Sequence, residues 1–104
     1  MNSPVIIVAQ ATAKPGKSEE LGNALLELVR ATRLQDGVLV YDLHRSAQSS
    51  NHWLVYEQYA SAEAFDAHMA SEPLQNFLSM VPELVDGEVE IRPYTLAVEP
   101  SPRG

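Results

Sequence analysis

In one short stretch of this sequence, Tyr56-Glu57-Gln58-Tyr59-Ala60-Ser61-Ala62-Glu63-Ala64-Phe65-Asp66-Ala67-His68, a carboxylate, a phenol and an imidazole are expected to turn toward one interior. An imidazole with proton affinity near neutrality is a natural base, and a carboxylate held between aromatic walls gains proton affinity by losing water. Together they suit the removal of a proton from a small molecule. Each residue also has a plainer explanation. Glu57 could be a solvated strand-end carboxylate or a partner of Arg45 or Arg92. His68 could be a hydrogen-bonded core histidine. The aromatic residues Tyr41, Trp53, Tyr56, Tyr59 and Phe65 could fill a core or bound a flat aromatic ligand. His44 and His52 flank a polar linker and are expected at the surface or at an interface.

The elements that must position these groups follow from hydrophobic period. In a strand over His52–Tyr59, alternation puts Trp53, Val55, Glu57 and Tyr59 on one side and Leu54, Tyr56 and Gln58 on the other. Ser61 is expected to cap a following helix in which Phe65, His68 and Met69 share an inward face, with Pro73 interrupting it. Upstream, the β-branched run Val5–Ala9 reads as a buried strand closed by the turn Lys14-Pro15-Gly16. A helix then starts with Ser18 as N-cap, carries the stripe Leu21, Ala24, Leu25, Leu28, Val29 and Thr32, and stops before Asp36-Gly37. Val38–His44 forms a second strand, joined as a hairpin to His52–Tyr59 through the polar linker Arg45–Asn51. A third helical piece is expected over Leu74–Val81 and a last strand over Glu88–Val98.

Strand, helix, strand, strand, helix, strand is the split β-α-β order of a ferredoxin-like α+β fold, an antiparallel sheet with helices on one face. The other face then needs a cover. Residues 1–98 are read as a single domain and residues 99–104, with two prolines, as a disordered tail.

Composition narrows the function. A chain of 104 residues, 45% hydrophobic, holds one small core, and a homodimer is an attractive way to cover the remaining apolar surface. With 14 Asp and Glu against 7 Lys and Arg, a net charge of -7 leaves no basic stripe for phosphates, which argues against nucleic acid as a partner. There is no cysteine for a disulfide or thiolate chemistry. No segment has the length of a membrane span or the pattern of a signal peptide, so a soluble, cytoplasmic protein without membrane association is expected. Ligand spacings for a metal, a glycine-rich phosphate loop and a nucleophile elbow around serine are all missing from the sequence.

Several ordered pieces now carry a resemblance. They are Ala13-Lys14-Pro15-Gly16-Lys17, the acidic-Gly-x-x-x-Tyr pattern in Asp36-Gly37-Val38-Leu39-Val40-Tyr41, the segment from Glu57 to His68, and Ser71-Glu72-Pro73 followed by Phe77. In order and spacing the chain resembles the antibiotic biosynthesis monooxygenase superfamily, small ferredoxin-like dimers forming an α/β barrel, among them quinol monooxygenases. The resemblance implies catalysis with no cofactor: an electron-rich phenol or hydroquinone is deprotonated and the anion reacts with O₂. It places His68 at the family's helix histidine, Glu57 at its strand carboxylate and Tyr59 at an aromatic position often filled by Trp. On this reading His68 is the proton acceptor and Glu57 its orienter or charge partner. Tyr59 and Phe65 form a stacking wall, with Tyr41 and Trp53 also lining the substrate site.

Two branches of the superfamily give contrasting expectations. Heme-degrading members use a first-strand Asn and a helix His, and the matching positions here fall near Ala9 and Leu78, which lack both groups. A second branch isomerises a small phosphorylated signalling molecule, and its strand-to-helix segment has a Tyr-Glu-x-Tyr pattern similar to Tyr56-Glu57-Gln58-Tyr59. An enolising enzyme of a small hydroxy-ketone is therefore an alternative to the oxygenase. A dimeric module that binds a small molecule without catalysis is the third reading, since this fold hosts many functions.

Overall fold

The computed structural model describes residues 4–102, so Arg103 and Gly104 at the end of the expected tail lie outside the described residues. Seven elements follow in order: β1 (Val5–Thr12), α1 (Ser18–Thr32), β2 (Val38–Arg45), β3 (His52–Tyr59), α2 (Ala62–Met69), α3 (Glu72–Leu84) and β4 (Glu90–Tyr94). The strands form one antiparallel sheet in the order β2-β3-β1-β4. This is the ferredoxin-like α+β arrangement expected from the sequence.

Register decides which side chains meet. Ile7 and Tyr41 both pair with Glu57, and Ala9 and Leu43 pair with Val55. All of these point to the side covered by the helices, where the stripe Leu21, Leu25, Leu28 and Val29 of α1 meets Leu74, Phe77 and Leu84 of α3. The opposite side of the sheet carries Val8, Leu54 and Tyr56, half-buried, and Tyr94, 50% exposed. No element of the described chain crosses it.

Several boundaries differ from the sequence expectation: β2 runs one residue past His44, to Arg45, and β1, α1, α3 and β4 also depart from it. β1 runs on to Thr12, because β3 offers it partners as far as His52. The cap of α1 is Lys17, which contributes no side-chain cap bond, and Ser18 is the first helical residue. The Ser18 hydroxyl is committed elsewhere: it donates to the Ser50 carbonyl at 2.6 Å and accepts from Arg45 and from the Trp53 indole, each at 3.1 Å. α3 is longer than Leu74–Val81. It starts on a Ser71 cap that accepts from Leu74 N–H, takes Pro73 in its first turn, and continues through Pro82. An interior proline costs about 3 kcal/mol. Burial of Leu84 and Val85, each worth roughly 1.5–3 kcal/mol, offsets that. Finally, β4 is shorter than Glu88–Val98. Its register sets Tyr94 opposite Ile6, and β1 begins at Val5, so among the described residues the ladder has no partner for Leu96 and Val98, which are exposed.

No helix among the described residues is long and apolar enough to cross a membrane.

Candidate active site

The helix-facing side of β3 and β2 meets α2 at a cluster of buried polar groups. His68 comes from the last turn of α2, which starts where Ser61 Oγ accepts from the Ala64 N–H at 3.1 Å. That cap fixes the helix phase, and His68 is the one buried residue of α2, 2% exposed. Its Nδ1 lies 3.1 Å from Gln35 Oε1, and its Nε2 lies 3.5 Å from the Tyr41 hydroxyl. The amide oxygen of Gln35 only accepts, so this contact is a hydrogen bond when Nδ1 carries the hydrogen, which leaves the Nε2 lone pair toward Tyr41. The Tyr41 and Tyr59 rings flank the imidazole, their centroids 5.3 and 5.6 Å away.

Glu57 is buried beside these rings, and the Tyr59 hydroxyl donates to its Oε1 at 2.5 Å. Loss of water pushes the Glu57 carboxyl up to about 7, against the opposing effect of the Tyr59 hydrogen bond. Burial lowers His68 to about 4 and drives both tyrosines well above the ordinary phenol value, with the Glu57 charge adding to each. At neutral pH the imidazole is therefore uncharged, and Tyr41 and Tyr59 are protonated and can donate.

A cavity of about 40 Å³ opens at this cluster. Glu57, His68, Tyr41, Trp53 and Gln10 line it, with an otherwise apolar wall that includes Met69, Leu78 and Ile91. Ligand sites are commonly about 300 Å³ or more, so a ring-sized molecule needs side chains to swing aside. Met69 and Leu78 are half-buried and Ile91 is on the edge strand, so these apolar side chains are less tightly enclosed than Glu57, His68 and Tyr41. Among the described residues no Lys or Arg lines the cavity. An adjoining groove shares Gln10 and Ala11 with it and is bordered by Asp86, Glu88 and Glu90. Among the described residues no three imidazole or carboxylate groups gather as a ligand set for a metal ion.

Of the six site residues read from the sequence, the structure brings four to the cavity wall and two behind it. Tyr59 and Phe65 pack edge-to-face at 5.2 Å and do not line the cavity. Tyr59 instead serves Glu57. Nor do Glu57 and His68 bond to each other: the partner of Glu57 is Tyr59 and the partner of His68 is Gln35. Arg45 and Arg92, considered as mates for Glu57, are engaged with Glu19 and Glu90. Trp53 is anchored as well as exposed to the cavity. Its indole donates to Ser18, the Arg45 guanidinium sits 4.6 Å above its ring, and its far edge packs where a side chain on Gly22 would lie only 2.7 Å away. Gln35 is the residue that sequence reading did not find, since nothing in a polar residue of a turn announces a contact with a helix much later in the chain.

Comparison with known proteins gives a consistent picture. The family described as antibiotic biosynthesis monooxygenase matches residues 4–79. Two relatives bear the name "Putative monooxygenase". Rv0793 of Mycobacterium tuberculosis is 32% identical over 91 residues, covering 88% of this chain and 89% of that protein. YcnE of Bacillus subtilis is 24% identical over 87 residues, covering 84% and 92%. Among solved structures, PA3566 from Pseudomonas aeruginosa superposes with a TM-score of 0.86 at 33% identity, over 93% of this chain and 98% of that one. The structure of Rv0793 superposes with a TM-score of 0.87 at 30% identity, over 95% and 100%.

Proposed function

We propose, since this chain belongs to the antibiotic biosynthesis monooxygenase family, that it oxidises a small, uncharged phenolic or hydroquinone-type substrate with O₂, without a cofactor. His68 Nε2 takes the hydroxyl proton of the substrate, and Tyr41 donates a hydrogen bond to the oxygen that becomes anionic. The electron-rich ring carbon then adds to O₂. Breaking the O–O bond as the ring C–H proton leaves puts one oxygen on the ring as a carbonyl and releases the other as water. A phenol with an open ring position thus becomes a quinone with no outside reductant, all four electrons that reduce O₂ coming from the substrate.

The observation that carries this reading is the state of His68: buried in the wall of a cavity, uncharged at neutral pH, with one nitrogen held by Gln35 and the other 3.5 Å from the Tyr41 hydroxyl. A base lowered to about 4 is weak toward a phenol on its own. Forming an anion beside it in a dry site restores its affinity for the proton, so transfer is coupled to substrate binding. The charge of the substrate follows from the surroundings. The wall lacks a cation and the adjoining groove is acidic, which favours a neutral molecule and disfavours the phosphorylated substrate that the isomerase reading would need.

The partner that covers the open side of the sheet is, in this proposal, a second copy of the chain. Val8, Leu54, Tyr56 and Tyr94 offer a self-complementary apolar face to a two-fold dimer. Leu54→Glu is expected to convert a dimer to a monomer in sedimentation, and a monomeric wild type overturns the pairing.

The reaction is tested by following O₂ consumption with a panel of phenols and hydroquinones, for the wild type and His68→Ala. O₂-dependent turnover that is lost in the variant supports the oxygenase. Turnover that proceeds equally without O₂ overturns it in favour of isomerisation, and full activity in His68→Ala overturns the assigned base.

A further inference from the structure

We infer that Gln35 is a positioning residue for His68: it fixes the imidazole as the Nδ1–H tautomer, so that Nε2 is the nitrogen presented to the substrate. The inference rests on the reading of His68 as the base and adds the residue that decides which of its two nitrogens acts.

The geometry joins three segments that are distant in sequence. Gln35 sits in the turn after α1, where its backbone N–H donates to the Thr32 carbonyl at 2.9 Å and its carbonyl accepts from Val38 N–H at 3.4 Å. The turn is pinned to the start of α2 by two features of Gly37. Its carbonyl accepts from Ala60 N–H at 2.7 Å, and its φ of +80° belongs to the left-handed region that favours glycine. A Cβ placed on Gly37 would lie 2.6 Å from the Cβ of Ala64, so the absence of a side chain is what lets α2 come this close. With the turn and the helix fastened, Gln35 Oε1 reaches His68 Nδ1 at 3.1 Å. The remaining ionisable groups around the ring, Tyr41 and Tyr59, are at its Nε2 and against its face, and Glu57 acts through Tyr59. None competes for Nδ1. Left to itself a buried imidazole could place its hydrogen on either nitrogen, and with the hydrogen on Nε2 the ring would have no lone pair for the substrate.

The test is the tautomer of His68, read by long-range ¹H–¹⁵N correlation at neutral pH in histidine-labelled protein, with the His68 signals assigned by their loss in His68→Gln. The expected wild-type spectrum has a protonated Nδ1 and a pyridine-like Nε2. Gln35→Leu is expected to shift the tautomer ratio about fivefold toward Nε2–H, the scale of one net hydrogen bond. Gln35→Glu keeps the acceptor, so it should retain Nδ1–H and also raise the proton affinity of His68 by adding an opposite charge. Gly37→Ala, which pushes the turn off α2 while leaving Gln35 in place, should shift the ratio in the same direction as Gln35→Leu. A wild-type ring protonated on Nε2, or a ratio unmoved by Gln35→Leu, overturns the inference. These spectra stand apart from turnover: full activity in His68→Ala would remove the base while leaving the tautomer result intact.

Discussion

The two ends of β3 are built from the same kinds of side chain and do opposite things with them. At the hairpin end, Trp53, Ser18, Arg45 and His52 all have their polar groups satisfied. Ser18 serves three partners, Arg45 pairs with Glu19 at 2.8 Å, and both ring nitrogens of His52 are bonded, to Thr12 at 2.9 Å and to Gln10 at 2.8 Å. At the other end, Glu57 and His68 are almost without solvent, and only one nitrogen of His68 has a close partner. A histidine saturated on both sides is a strut. A histidine held on one side and open on the other can exchange a proton. The difference lies in depth and in the placing of a single acceptor, since both ends share one strand.

The largest effect that could break this contrast is catalytic. His68→Ala should lower O₂-dependent turnover by at least about 100-fold, the scale of a general base, whereas His52→Ala should stay within about twofold of the wild type. Equal losses in steady-state O₂ uptake would mean that the two ends are not functionally distinct.

Next comes a pH signature that only the buried end can produce. The folded state raises Glu57 from 4.5 to about 7, so its carboxyl is favoured neutral and its contribution to stability falls as pH rises between those values. The folded state lowers His68 from 6.5 to about 4, so its contribution falls as pH drops through that window. The two oppose each other over most of the same range, and the wild type should show little net slope from them. Glu57→Gln should unmask the histidine, giving a stability that rises by about 3 kcal/mol from pH 4 to 6.5. His68→Gln should unmask the carboxyl, with a fall of similar size from pH 4.5 to 7. Urea unfolding across pH checks both, and wild-type slopes in both variants would refute the assigned burial effects.

Smallest is the effect at the saturated end. Ser18→Ala removes a shared hydroxyl from Arg45 and Trp53, yet Arg45 keeps Glu19 and the Ser50 carbonyl. A loss of about 1 kcal/mol in denaturant midpoint analysis, with no change in slope against pH, is expected. A pH-dependent loss would show that this end, too, is electrostatically stressed.

Much of this arrangement was legible in the sequence because strand alternation is a local rule. The parity of His52–Tyr59 placed Trp53, Val55, Glu57 and Tyr59 on one side, and Val55, Glu57 and Tyr59 are the buried residues of β3. Capping was equally local at Ser61, where the expected helix starts. The same kind of rule misplaced the cap at Ser18, because a hydroxyl that could serve its own helix was taken by Ser50, Arg45 and Trp53. From sequence the third helical piece is expected to end at Val81, just before Pro82, whose backbone cost is local, and the burial of Leu84 that outweighs it comes from distant elements.

By itself, then, the sequence determined the order of elements, the side of the sheet on which Glu57 lies, the inward aim of His68 and the family to which the chain belongs. Only the tertiary structure decided who bonds to whom: Glu57 with Tyr59, His68 with Gln35, and Tyr59 and Phe65 behind the cavity wall. Periodicity specifies a direction relative to the backbone. Partnership depends on the distance between elements, which here is set by a glycine against Ala64 and by how deeply each strand position is cut off from water.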